Sequence, residues 1–220
     1  MALSVSAIIA RRRQAIVSAF ARTPFIQVQV EGAAALALLG YVNETGFETA
    51  EPQQLGRRNA SRVVFVESRT NPDLDSSVWV AASYGDYAGA YIAFVNKVYG
   101  LSASKGDLAG YDVDHLLNRA RSPEDSTLIR IEATPSAINQ EWGRLFEKAS
   151  SDPRFYANQM RERRTTSYMI CAKLAGEPPP RGPSDRAGID RLANFFERIG
   201  IDKAEARKGI ESMLAFAYKR

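Results

Sequence analysis

The chain contains a single histidine, His115, with acidic residues one and three positions before it, at Asp114 and Asp112. Histidine is the side chain whose unperturbed pKa lies closest to neutrality, so it suits a general base that activates water. The alternation of apolar and acidic residues within 111–118 is typical of a strand end. We therefore take His115 as the first candidate for chemistry in this sequence.

Oxygen ligands follow the histidine on a predicted helix. The segment 134–136 opens this helix, with proline near its first turn, and Asn139, Gly143 and Glu147 then recur at intervals of four. An amide and a carboxylate therefore share one helix face, and the glycine between them leaves room for an ion. Amide and carboxylate oxygens suit a hard cation such as Mg²⁺ or Mn²⁺, which keeps several water ligands.

The pattern over residues 111–150 resembles the DNA/RNA non-specific endonucleases, members of the ββα-metal (His-Me finger) superfamily. Their helix signature has Asn-Gln followed by Glu eight positions after the Asn, and Asn139-Gln140 and Glu147 keep that interval. Their histidine closes an Asp-Arg-Gly-His tetrad, to which residues 112–115 correspond. Val113 replaces the arginine and Asp114 replaces the glycine, whereas Asp-His pairs occur in the wider superfamily.

This resemblance implies a role for each matching residue. His115 would act as the general base and Asn139 as the direct metal ligand. Glu147 would orient metal-bound waters, and Asp112 or Asp114 would orient the histidine or join the metal shell. An arginine would assist at the phosphate, and the candidates are Arg119, Arg121, Arg130 and Arg144, of which Arg144 follows Gly143 on the same helix.

Each of these residues also has a structural interpretation. His115 beside an aspartate is compatible with a hydrogen-bonded residue of no catalytic role, Asn139 with a residue that satisfies the first helical turn, and Glu147 with a solvated helix face. Two further hypotheses follow. The chain is either a non-catalytic nucleic-acid- or protein-binding module on the same scaffold, or a metal-independent nuclease that uses His115 without Asn139.

The pattern along the chain predicts an α+β fold in which the ββα-metal hairpin and helix form the core. Helices are expected over 4–22, 33–39, 88–99 and 153–175, strands over 25–30, 62–67, 77–84, 111–118 and 127–133, and a loop over 43–61. In the first helix the arginines are expected opposite the apolar face. The predicted organisation is an α+β domain over 1–176, a Pro-rich linker over 177–184, and a C-terminal segment over 185–220 with two helices. The break between these two helices is expected near 200–202, with Asp202 as the N-cap of the second.

Composition limits the function without fixing it. The net charge of +4 permits a nucleic-acid partner. The one cysteine, Cys171, excludes a disulfide framework and is expected to be a buried thiol. The order of apolar and basic residues at the N-terminus differs from that of a secretory signal, so we expect a soluble cytoplasmic chain, with export by a signal-independent route open.

Together these features predict a metal-dependent nuclease that acts on DNA, RNA or both. A toxin or delivered effector is a setting that fits the family, and such a protein would have a neutralising protein partner.

Overall fold

The computed structural model describes residues 3–22, 26–36, 40–43, 46–49, 51–117, 127–147 and 166–218, with the backbone alone described for 40–43 and 46–49. The helices are α1 (Val5–Arg22), α2 (Ala33–Leu36), α3 (Tyr87–Tyr99), α4 (Ser136–Trp142), α5 (Tyr168–Ala175), α6 (Arg186–Arg198) and α7 (Lys203–Ala217). The strands are β1 (Gln29–Val30), β2 (Gly40–Asn43), β3 (Gly46–Thr49), β4 (Gln53–Gln54), β5 (Val63–Val66), β6 (Ser77–Ala81), β7 (Tyr111–His115) and β8 (Leu128–Pro135). A 3₁₀ turn covers Lys105–Leu108, and a π-helical segment covers Gly143–Glu147.

One antiparallel sheet has the order β1-β8-β6-β5-β4, and β7 pairs with β8 outside this path. β8 is at its centre: β6 lies along one side, and β1 and β7 follow one another along the other. The apolar, β-branched residues of β5 and β6 are buried throughout, as expected for strands covered on both faces. β7 therefore has β8 as its only neighbour among the described strands, which makes it an edge strand.

Three apolar clusters hold the elements together. The first half of α1 packs with α3 on the sheet, and α2 covers a smaller patch around Trp79. The second half of α1 packs with Trp142 of α4 and with α5, α6 and α7. Cys171 lies in this third cluster, fully buried and as a free thiol, which confirms the prediction made for it. The C-terminal helices thus share a core with the rest of the chain.

The segment 177–184 runs along this core: Pro179 and Pro180 are buried, and the Trp142 indole N–H donates to the Glu177 carbonyl at 2.8 Å. The break before α7 is where the sequence predicts it, and Asp202 caps that helix by accepting from the Glu205 N–H at 2.8 Å.

The prediction for the arginines of α1 is wrong at one position. Arg12 is fully buried and donates to Glu132 of β8, with Nε 3.1 Å from Oε2 and Nη2 2.5 Å from Oε1. Arg130 donates to the same carboxylate at 2.9 Å. The two guanidinium groups compensate the charge of the buried Glu132 carboxylate, so Arg12 of α1 can be buried against the sheet. Its helical periodicity gives no sign of this partner.

Several boundaries also differ from the sequence predictions. The loop predicted over 43–61 contains β3 and β4, and the strand predicted over 25–30 is reduced to β1 with an isolated bridge at Gln27. Of the helix predicted over 153–175, the residues before 166 lie outside the described part, and α5 accounts for its end. The fold is mixed α and β with a curled antiparallel sheet, and no described helix has the length and apolarity to cross a membrane.

Candidate functional site: an acid and amide cluster between β7 and α4

The order strand, strand, helix brings Asp112 and Asn139 into contact. Asp112 lies on β7, and its two carboxylate oxygens accept hydrogen bonds from two side chains of α4. Ser136 Oγ donates to Oδ1 at 2.7 Å, and Asn139 Nδ2 donates to Oδ2 at 3.2 Å. The amide oxygen of Asn139 is buried and accepts no hydrogen bond from the described part of the chain. This oxygen is therefore the least satisfied polar atom of the cluster, and a buried acceptor without a partner is costly.

Asp114 and Glu147 meet around a lysine. Lys173 of α5 places its ammonium 2.8 Å from Asp114 Oδ2 and 2.6 Å from Glu147 Oε1. Burial alone would lower the pKa of Lys173, but the two carboxylates outweigh it and the pKa lies above the usual lysine value. The lysine is therefore a charged ammonium, and it joins β7, the π-helical segment and α5.

These two groups of residues lie side by side. Asp112 and Asp114 are two residues apart in β7, so both side chains are on the face of the strand that α4 covers. Asn139 of α4 lies beside Asp112, and Glu147 of the π-helical segment lies across Lys173 from Asp114. In a regular α-helix a step of eight residues overshoots two turns by about 80°. The wider turns of the π-helical segment reduce this drift, so Glu147 comes back towards the face that carries Asn139.

His115 belongs to the other face of β7. Its ring meets the ring of Tyr87, at the start of α3, edge-on with centroids 4.8 Å apart, and the residue is only 5% exposed. Neighbouring side chains of a strand point to opposite faces, so a histidine directly after Asp114 faces away from α4. Asp114 itself accepts a hydrogen bond from the backbone N–H of His115 at 2.8 Å. The sequence pattern placed His115 and Asn139 in one site. In the structure their side chains instead lie on opposite faces of β7.

The two arginine candidates that the structure describes make no hydrogen bond or ion pair with the cluster. Arg130 is committed to Glu132 and to the Leu74 carbonyl, 3.2 Å away. Arg144 is exposed on the π-helical segment and makes no hydrogen bond or ion pair with the described residues. Arg119 and Arg121 lie outside the described residues.

An open cleft of about 690 Å³ runs along β7, and Asp112, Asp114 and Asn139 form part of its wall. The start of α3 and the 3₁₀ turn form the opposite wall. In the pairing of β7 with β8, Ser136 N–H donates to the Gly110 carbonyl and Leu116 N–H to the Arg130 carbonyl. The even-numbered residues therefore bond to β8, which directs the backbone groups of Tyr111 and Val113 away from it, towards the open edge. The remaining lining residues are Tyr87, Ala88, Lys105, Gly106, Leu108 and Ala109.

The donor set partly fits a hard cation. Asp112 and the amide oxygen of Asn139 are oxygen ligands of the kind that Mg²⁺ takes, one or two at a time, with waters completing its shell. Asp114 and Glu147 have the same chemistry, but Lys173 occupies the position between them. Within the described ranges, no three acidic, histidine or cysteine side chains converge in a way that could hold a metal ion. A cation would therefore rest on Asp112 and Asn139.

Sequence reasoning missed Lys173 and Ser136. A signal for Lys173 was present, because it is the one charged residue in the apolar stretch 168–175, and a buried lysine requires a partner. Comparison with known proteins adds no further constraint: no family model matches the chain, and the searches of curated proteins and of solved structures found no match.

Proposed function

We propose that the chain hydrolyses phosphodiester bonds of DNA or RNA with the help of a divalent cation held by Asp112 and Asn139. The observation that carries this proposal is the buried amide oxygen of Asn139, which has no hydrogen-bond partner among the described residues. Asn139 lines the cleft beside the carboxylate of Asp112. A side chain held in this way by Asp112 is preorganised, because its N–H is already used and its oxygen remains for a ligand.

The cation, when bound, would supply positive charge against the negative charge that develops on the phosphoryl group. Asp112 would have two tasks in this proposal: it fixes the orientation of Asn139 and offers the nearest carboxylate that can take a proton from an attacking water. His115 would support the strand from the opposite face, through Tyr87. This assignment replaces the catalytic role that the resemblance implied for His115.

The test uses the full chain with supercoiled plasmid and with structured RNA, in Mg²⁺, in Mn²⁺ and in chelator. Cutting should require the metal, and Asn139→Ala and Asp112→Asn should each slow it by about 10–100-fold or more. Gln140→Ala is the matched control, because Gln140 is exposed on the same helix. Metal-dependent cutting that survives both site variants would refute the assignment.

A second function, a nucleic-acid- or protein-binding module without catalysis, has one specific observation in its favour. The ring of His115, the chain's single histidine, contacts the ring of Tyr87 on the other face of β7, so it is not positioned as a base beside Asp112. Under this hypothesis none of the substrates is cut under any metal condition. Fluorescence anisotropy with labelled DNA and RNA would then measure binding, and the salt dependence would report the number of phosphate contacts.

A further inference from the structure

Lys173 occupies a position that the site chemistry would otherwise give to a metal ion. Its ammonium lies 2.8 Å from Asp114 and 2.6 Å from Glu147, and its side chain is only 10% exposed. The carboxylates are more open, at 31% and 26% exposure. Thus a cation already bridges these two oxygens, and it is supplied by the chain itself.

The same lysine is close to the proposed cation position on Asp112 and Asn139. Asp112 and Asp114 share one strand face, two residues and about 7 Å apart. A positive charge bound at Asp112 would therefore be repelled by an ammonium at Asp114, through a region that is partly shielded from water. A cation that instead entered between Asp114 and Glu147 would have to displace the ammonium. In both cases the lysine and the metal oppose each other.

We propose that Lys173 is a built-in counter-ion that weakens divalent-cation binding at this cluster and thereby sets its metal affinity. This inference rests on the proposed function, since it concerns the same cation. The lysine holds Asp114 and Glu147 in place while no metal is bound. Metal binding then requires either a shift of the ammonium away from the two carboxylates or a concentration high enough to overcome its repulsion.

The experiment measures Mn²⁺ binding to the full chain without nucleic acid, from the electron paramagnetic resonance signal of free Mn²⁺. Lys173→Met should bind Mn²⁺ about tenfold or more tightly than the parent chain, because a positive charge at close range is lost. Lys173→Arg keeps the charge and should stay at the parent affinity. Lys208→Met is the control for loss of a lysine, because Lys208 is exposed on α7 and has no ion pair in the described part of the chain.

A folded Lys173→Met variant with the parent affinity would overturn the inference. The variant also removes the ammonium group from between two partly buried carboxylates, which favours unfolding. Thermal melts with and without Mn²⁺ decide that case: the inference requires Mn²⁺ to restore folding of Lys173→Met, and failure to do so contradicts it.

The two proposals fail in different ways. If no variant cuts nucleic acid but Mn²⁺ affinity rises in Lys173→Met, the proposed function is wrong and the counter-ion role stands. If metal-dependent cutting occurs and the affinity does not change, only the counter-ion role is wrong.

Discussion

Asn139 donates its side-chain N–H to Asp112 at 3.2 Å, between α4 and β7, while its amide oxygen accepts no hydrogen bond within the part of the chain that the structure describes. One hydrogen bond thus fixes the direction of an unused acceptor. The same carboxylate also binds Ser136, so the start of α4 is fastened to the strand at two points. The cluster is consequently both a joint of the fold and the candidate site.

Replacing Asp112 should therefore reduce stability as well as any activity. Asp112→Ala removes two hydrogen bonds to a charged acceptor, and we expect the free energy of unfolding to fall by about 1–3 kcal/mol in urea titrations. Glu51→Ala, at an exposed position, should change it by less than about 0.5 kcal/mol. Equal stability of the two variants would show that Asp112 does not anchor α4.

His115 and Tyr87 should behave as a packing pair. His115→Ala is expected to destabilise the chain by about 1–3 kcal/mol, and a double-mutant cycle with Tyr87→Ala should give a coupling of about 0.5–1.5 kcal/mol. His115→Phe preserves a ring at this position and should lose less stability. In the cleavage assay, the folded His115→Phe variant should keep the parent rate, and loss of cutting by a folded variant would return the histidine to the reaction.

The buried pairing of Glu132 should appear in acid unfolding. Burial alone would raise the pKa of Glu132, but Arg12 and Arg130 outweigh it and hold the pKa below the ordinary 4.5. Because the folded pKa is the lower one, Glu132 stabilises the fold fully above the ordinary value, and this contribution is lost as the pH falls through the folded pKa. Stability should therefore decrease steeply below about pH 4.5.

Glu132→Gln tests this assignment. It leaves two buried arginines without their anion and should cost about 3–5 kcal/mol at neutral pH. Its stability should then change less with pH over the acid range than that of the parent chain. Glu51→Gln should preserve the parent profile. Thermal melts from pH 7 to pH 3 measure all three, and parallel acid profiles for Glu132→Gln and the parent would contradict the prediction.

Two glycines should respond in opposite directions to alanine. A Cβ on Gly209 of α7 would lie 2.5 Å from the Tyr168 ring, whereas a Cβ on Gly143 would meet no described atom within 4 Å. We expect Gly209→Ala to destabilise the chain by about 1–3 kcal/mol through overpacking. Gly143→Ala should stabilise it by about 0.4–1 kcal/mol, since its helical backbone suits alanine. Calorimetry on both variants would test the close approach of α5 and α7.

Local sequence patterns predicted several elements of the fold, including those that carry the site. The β-rich segments before α3, the hairpin of β7 and β8 and the start of α4 all follow from periodicity and from turn residues, and Asp202 was predicted as a cap. Asp112 contacts α4 because α4 follows β8 without a break and β8 pairs with β7, the strand that carries Asp112. These features depend on neighbours within a few dozen residues.

The features that the sequence did not predict depend on which face of a strand a side chain occupies, or on partners far away in the chain. Asp112 and Asp114 share a strand face, and His115 lies on the other one. The family resemblance matches only the order of these residues and takes no account of the face to which each side chain points. Arg12 could not be placed, because its partner Glu132 is 120 positions away. Lys173 likewise finds Asp114 across 59 positions. Such pairings arise only when the sheet and the helices have assembled.

Because β8 lies at the centre of the sheet, residues 111–147 depend on the rest of the fold and do not form an independent unit. One side of β8 requires β6, and Glu132 requires an arginine from the first helix of the chain. An excised hairpin and helix would expose an apolar strand edge and would leave Glu132 with Arg130 but without Arg12. Grafting these residues onto another scaffold would transfer the side chains without β6 and α1, which hold them in place here.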